Sequence, residues 1–477
     1  MQRMSVLGLS SLAVGLASVA LLAQSGGAIA DEETVAGDER LAPLVEGEER
    51  LGGPASVVVD GQNAFSYPSR VLSAKERRVF AVGNAFFKDN WVMAPASAVG
   101  RDGLGPFFNA RSCSGCHLRD GRGRPLEDGE TASAGLLIRL GVPGEKGDLP
   151  HPVYGGQLQE YAIHGVPAEA GFVIHRESVP GKYADGVAYE LEAPRYEIID
   201  PAFGPLGDDV RIGARVAQQL IGLGLLEAVP EATLVALADP DDADGDGISG
   251  RAHMVTSVRH GRTMIGRFGW KATQPTVEEQ VAGAFVNDMG ITSPLHRNEV
   301  VTATEEKRIE YVSGGSPEMT ETKLRRVTFY SQTIAVPARR NVADPVVRRG
   351  KWLFDDLGCA ACHVSELRTG SDYVLEAYRD QTIRPYTDLL LHDMGEALAD
   401  QKHDGDSTPR EWRTPPLWGI GLFSAVSGHT RYLHDGRARN LAEAVLWHGG
   451  ESELSRDRFK RLPRRDRDAL IAFLDSL

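Results

Sequence analysis

The chain is poor in cysteine: there are four in 477 residues, all in two short clusters. Too few lie elsewhere for a disulfide scaffold or a lone reactive thiol. Cationic side chains are also in deficit, 52 Lys and Arg against 66 Asp and Glu, for a net charge of −14. Such a surface disfavours nucleic acid and suits a protein that meets basic partners. Beyond residue 30 no apolar run is long enough to span a bilayer.

The first thirty residues read as an export signal. Arg3 gives a positive start, Met4 to Ala23 an apolar run, and Ala28-Ile29-Ala30 small residues for cleavage before Asp31. A retained anchor is the alternative, and with no nearby cysteine a lipid anchor is excluded. Removal leaves 477 − 30 = 447 residues with a net charge of −14 − 1 = −15, enough for two or three domains. The expected location is periplasmic.

The cysteines stand in Cys113-Ser114-Gly115-Cys116-His117 and Cys359-Ala360-Ala361-Cys362-His363. Two cysteines at this spacing reach the two vinyl groups of one haem as thioethers, and the next histidine falls beneath the ring as iron ligand. Cysteine pairs also build zinc ribbons, usually within a few tens of residues of each other. Here 359 − 117 = 242 positions separate the motifs, and a cysteine-only zinc site has no use for the histidines. The spacing therefore predicts two covalently bound haem c groups, with His117 and His363 as iron ligands. Export agrees, since such attachment belongs beyond the bacterial cytoplasmic membrane.

Residues 31–70 read as an extended lead-in. Ser73 and Glu76 form a capping box that opens a helix through Phe86 and Phe87. From about 135 to 200, short apolar runs between Gly and Pro turns predict a β-rich insertion, in which His151, His164 and His175 read as turn or core histidines, with a distal ligand of the first haem as the alternative role. Helices are expected at Arg211 to Glu227 and Glu231 to Ala238. The loop 239–251 places Asp242, Asp244 and Asp246 in an EF-hand frame, but its twelfth position is His253 instead of Glu. A divergent calcium site and a solvated acidic turn both fit.

Thr276 caps a helix running past Gln280 toward Asp288, and Asp344-Pro345 caps one ending before the second haem motif. Asn440 opens a short helix that delivers His448. Val277-Glu-Glu-Gln-Val281 resembles Leu441-Ala-Glu-Ala-Val445, which suggests duplication. Arg461, Arg464, Arg465 and Arg467 read as a solvated final helix. The expected fold is mainly α: two cytochrome c-like haem domains, 71–340 with the insertion and 341–477.

The motifs, with Thr414-Pro-Pro-Leu417 and His434-Asp-Gly-Arg437, resemble the bacterial di-haem cytochrome c peroxidase and MauG superfamily. Arg119-Asp-Gly-Arg-Gly123, Phe268-Gly-Trp-Lys-Ala272 and Asp288-Met-Gly-Ile-Thr292 look like its di-haem oxidoreductase, or thiol oxidoreductase, branch. With every cysteine committed to haem, the chain has no dithiol of its own, so thiols enter only as external reductants.

The resemblance implies that the first haem meets hydrogen peroxide. The second relays electrons from a small donor such as a monohaem cytochrome c or a cupredoxin. It also implies that Gln280 and Asp288 line the peroxide pocket, with Asp in place of the usual Glu and an interval two residues shorter. The second haem's distal ligand falls fourteen residues after His434, at His448, with Met394 as the alternative and His434 beside the ligands. Trp270 holds the place of a tryptophan between the haems. MauG-like oxidation of a partner protein and a non-catalytic carrier with both irons closed are the rival functions.

Overall fold

Two helix crossings, built alike, frame the chain. Ser73 and Glu76 form the expected reciprocal cap that starts the helix Ala74–Lys88. On that helix Gly83 lies so close to the helix Glu321–Thr333 that a Cβ there would come within 2.2 Å of the Arg326 carbonyl. Four residues on, Phe87 meets Tyr330 with ring centroids 5.2 Å apart. The second crossing repeats this spacing. Asp344 caps Pro345–Asp356, where a Cβ on Gly350 would lie 1.9 Å from the Ala469 carbonyl in the helix Arg464–Ser476. Phe354 then meets Phe473 at 5.3 Å. Each phenylalanine also faces the histidine of the adjacent Cys-x-x-Cys-His, Phe87 on His117 and Phe354 on His363, both with centroids 6.2 Å apart.

This computed structural model describes residues 40–98, 100–127, 130 and 135–477. The leader falls outside the described residues. Arg40–Leu477 holds together as one compact unit. Among the described residues there are twelve α-helices, and the strands pair into six two-stranded antiparallel sheets. No helix among them is long and apolar enough to cross a membrane.

The β-rich region has a core of its own, with Phe107, Leu136, Ile138, Tyr154, Leu158 and Phe172 among its members. Its longest hairpin pairs Gly171–Lys182 with Ala188–Ile199 in unbroken register. The hairpin turn reaches the C-terminal helices, where Asp185 pairs with Arg467 at 2.7 Å and the Arg467 guanidinium stacks on Tyr183. Arg467 is therefore buried, whereas the sequence reading had it solvated.

The region also extends further than expected. Arg211–Val216 is a strand paired with Leu136–Gly141, and helix resumes only at Leu223–Glu227. The alternation of Arg211, Gly213 and Arg215 with Ile212, Ala214 and Val216 has the period of two that a strand needs, and the partner strand fixes it. The lead-in from Arg40 lacks long elements and crosses to the second half, where Glu48 pairs with Arg339 at 3.3 Å and with Lys351.

Candidate active site: two cavities with a common wall

The two cysteine motifs open into different cavities, so one four-cysteine zinc site is ruled out. The first, about 410 Å³, is lined by Cys113, Cys116 and His117 and by residues of the helix Val277–Met289. The second, about 180 Å³, is lined by Cys359, Cys362, His363 and His448. Gln218, Gln219, Trp270, Arg413 and Pro416 line both and form their common wall.

Haem fits the donor set. Burial pushes the Cys116 and Cys359 thiols up to about 12 and that of Cys113 higher still, so these are neutral thiols, not thiolates ready for a metal. Burial lowers His117 and His363 to about 4, leaving both imidazoles neutral, as iron ligation requires. His363 Nδ1 lies 2.9 Å from the Tyr386 carbonyl and His448 Nδ1 2.7 Å from that of Ala444. Each carbonyl fixes the tautomer and leaves Nε2 as the lone-pair donor. His117 Nδ1 is buried, and among the described residues no carbonyl completes a hydrogen bond to it, although the Gly121 and Gln218 backbones pass close.

The helices Val277–Met289 and Leu441–Trp447 each line one cavity, and their caps align them. Thr276 accepts from Glu279 N, and Asn440 from Glu443 N. In that register Gln280 matches Ala444, Val281 matches Val445, and Ala284 matches His448, all of them lining their cavities. The first helix continues past this point, and Gln280, Ala284 and Asp288 fall on one face at intervals of four.

Asp288 is half-buried on the cavity lining, and its loss of hydration there raises the carboxyl to about 6. Its Oδ1 accepts from Gln157 Nε2 at 2.8 Å, and Gln157 Oε1 accepts from Arg139 at 2.9 Å. Gln157 Nε2 also donates to Asn109 Oδ1 at 2.8 Å. Sequence reasoning missed Gln157 and Arg139, because they come from the β-rich insertion and carry no motif. Ala284 was within reach by extending the 277–281 and 441–445 match three residues.

Trp270 donates from Nε1 to the Val216 carbonyl at 2.8 Å and meets His434 edge to face, centroids 6.4 Å apart. His434 in turn stacks on Trp412 at 3.7 Å and lines the second cavity. Met394 also lines the second cavity, with its sulfur 4.0 Å from the Ser452 hydroxyl. A further residue was not foreseen. His392 lies between Asp388, 2.7 Å from Nε2, and Glu451, 2.8 Å from Nδ1, with Cys362 Sγ at 3.6 Å. Burial opposes its charge, but those contacts hold the ring protonated, up to about 12.

None of the three insertion histidines lines the first cavity. His151 bonds the Leu206 carbonyl at 2.8 Å, and His175 pairs with Glu197 on the surface. In the acidic loop, Asp239, Asp242 and Asp244 bring carboxylate oxygens within 4.8 Å of one another. Asp246 is not among them; its Oδ1 accepts from Ile248 N at 2.8 Å. His253 is turned inward, with Nδ1 2.7 Å from the Lys271 carbonyl. Gly247 N donates to Asp242 Oδ1 at 3.1 Å and Asp246 N to Asp244 Oδ1 at 3.1 Å, so the carboxylates cap backbone amides of their own turn.

Two Cys-x-x-Cys-His cavities sharing a wall are the arrangement of a two-haem redox protein. The chain belongs to the family described as "Di-haem oxidoreductase, putative peroxidase", which matches residues 46–129 and 141–477. Haem and oxidoreductase chemistry follow at that level. Among solved structures, Kuenenia stuttgartiensis hydrazine synthase is similar over 92% of this chain and 100% of that one, at 11% identity and a TM-score of 0.30. No curated relative matches the chain.

Proposed function

We propose that the chain is a periplasmic di-haem c-type peroxidase, reducing hydrogen peroxide at the first cavity with electrons delivered through the second. The observation that carries this reading is the exchange of Ala284 for His448 at matching places on the two cavity helices. The second cavity is lined by the imidazoles of both His363 and His448, which suits a closed relay. The first is lined by His117 and by a helix that offers a methyl group at Ala284 with Gln280 and Asp288 to either side along it. The repeated helix crossings support two haem-bearing halves of common plan, and the export signal and covalent motifs support the location.

Haem iron, when bound, supplies the electrons that break the O–O bond. Peroxide then takes up two electrons and two protons and leaves as two waters. The Gln280 amide can hold it by hydrogen bonds. Asp288, whose second oxygen has no partner among the described residues, takes a proton from the near oxygen and returns one to the far oxygen. Gln157 occupies Oδ1 and so reserves Oδ2 for that exchange. Trp270, in the common wall, lies on the route between the cavities. The electrons come from a small soluble donor, a monohaem cytochrome c or a cupredoxin.

The test is stopped-flow mixing of half-reduced, haem-loaded protein with slight excess peroxide, followed by turnover with a reduced small cytochrome. Fast spectral change at one haem and donor oxidation in two-electron stoichiometry support the proposal. Two haems indifferent to peroxide would make the protein a carrier. Oxidation of residues on an added protein, without donor turnover, would favour MauG-like chemistry.

A further inference from the structure

Burying a cation without a counter-ion is costly, because lost hydration is not offset by a charge. Arg122, Arg267, Lys271 and Arg413 are all buried, and none makes an ion pair with a described residue. The chain does compensate elsewhere: Arg215, in the same region, has Asp400 at 2.5 Å and Asp404 at 3.3 Å. Lys271 spends its three hydrogens on the carbonyls of Thr408, Pro409 and Glu411. The arginines are not so satisfied.

Arg413 is the clearest case. Its Nε donates to the Gly269 carbonyl at 2.9 Å, one terminal nitrogen to the Thr414 carbonyl at 3.0 Å, and the other to Gln218 Oε1 at 3.1 Å. A guanidinium has five hydrogens, so one remains on each terminal nitrogen. Arg413 lines both cavities. Arg122 lines only the second, where it donates to the Arg431 and Leu433 carbonyls. Arg267 lines only the first, where one terminal nitrogen donates to the Leu226, Glu227 and Val229 carbonyls.

We infer that these arginines receive carboxylates carried into the cavities, and that Arg413 binds one from each side and so couples the two sites electrostatically. This rests on the di-haem reading, in which the carboxylates are the haem propionates. A free organic acid is the other source of the same chemistry. Because guanidinium forks match carboxylates, the two unused hydrogens of Arg413 suit one oxygen in each cavity. A positive charge there disfavours the ferric state at both sites, and it is the same charge that both feel.

The experiment is spectroelectrochemical titration of the haem-loaded protein and of Arg413→Gln, Arg413→Lys and Arg122→Gln, with and without added acetate. Arg413→Gln is expected to lower both midpoint potentials, Arg122→Gln only that of the second haem, and Arg413→Lys to stay near the parent at both. A shift at one haem or at neither in Arg413→Gln would overturn the inference. So would a fall in Arg413→Lys equal to that in Arg413→Gln, which would assign the effect to packing. Parent potentials that move with acetate would assign the site to a free acid and overturn the coupling through haem. Potentials are read whether or not peroxide reacts, so failure here is distinct from failure of the peroxidase reading.

Discussion

Ala284 and His448 stand equally far beyond their helix caps, 284 − 276 = 8 and 448 − 440 = 8 residues, and each looks into a cavity that holds a Cys-x-x-Cys-His motif. On the proposed reading, one side chain at this place separates an open site from a closed one. His448→Ala should therefore open the second iron, seen as a second high-spin electron paramagnetic resonance signal in the oxidised protein. His448→Met should keep it low-spin and raise its midpoint potential, since an axial Met gives a higher potential than His. A low-spin second haem in the alanine variant would point to Met394 as ligand.

The proposed mechanism needs Asp288 in its ionised form for the first proton transfer, and its carboxyl is raised to about 6 by burial. The rate of peroxide reaction should accordingly rise with pH through about 6 and level off above it. Asp288→Asn should cost roughly a hundredfold to ten-thousandfold with haem spectra unchanged. A profile flat between pH 5 and 8 would remove Asp288 from the chemistry.

Gln157 supports the ionised carboxylate, so its loss should raise the Asp288 pKa further. A hydrogen bond to a charged group is worth about 1.5–3 kcal/mol, which corresponds to a shift of roughly one to two pH units. Gln157→Leu should displace the acidic limb upward by that amount and leave the high-pH plateau near the parent. A plateau that collapses without displacement would make Gln157 a purely structural residue.

The close helix crossings predict a stability effect. A methyl group at Gly350 would meet the Ala469 carbonyl, and one at Gly83 the Arg326 carbonyl. Gly350→Ala and Gly83→Ala should each cost about 1–3 kcal/mol, as overpacking does, and lower Tm in a calorimetric scan. Gly245→Ala, at a position with no atom within 4 Å of the new methyl group, serves for comparison, with strain only from its positive φ of 75°.

What the sequence made legible was whatever is fixed by local chemistry. The Ser73, Thr276, Asp344 and Asn440 caps start helices as read, because a cap is a contact between near neighbours. Gln280, Asp288 and Trp270 meet the first motif in one cavity, and His448 meets the second, on positions set by those helices. Tertiary partners decided the rest. Arg211–Val216 became a strand because Leu136–Gly141 was there to pair with it, and Arg467 was buried by a hairpin tip 282 residues away in sequence. Gln157 and Arg139 have no local pattern, since only the fold of the insertion brings them to Asp288.

The most direct test of the open first site is electron paramagnetic resonance of haem-loaded Ala284→His beside the parent, oxidised and half-reduced, before and after peroxide. A high-spin first haem is expected in the half-reduced parent, consumed by peroxide. In the variant that signal should be replaced by a low-spin one indifferent to peroxide, while the second haem is unchanged. A parent with both haems low-spin in both states, or a variant that keeps its high-spin signal and its peroxide reaction, would contradict it.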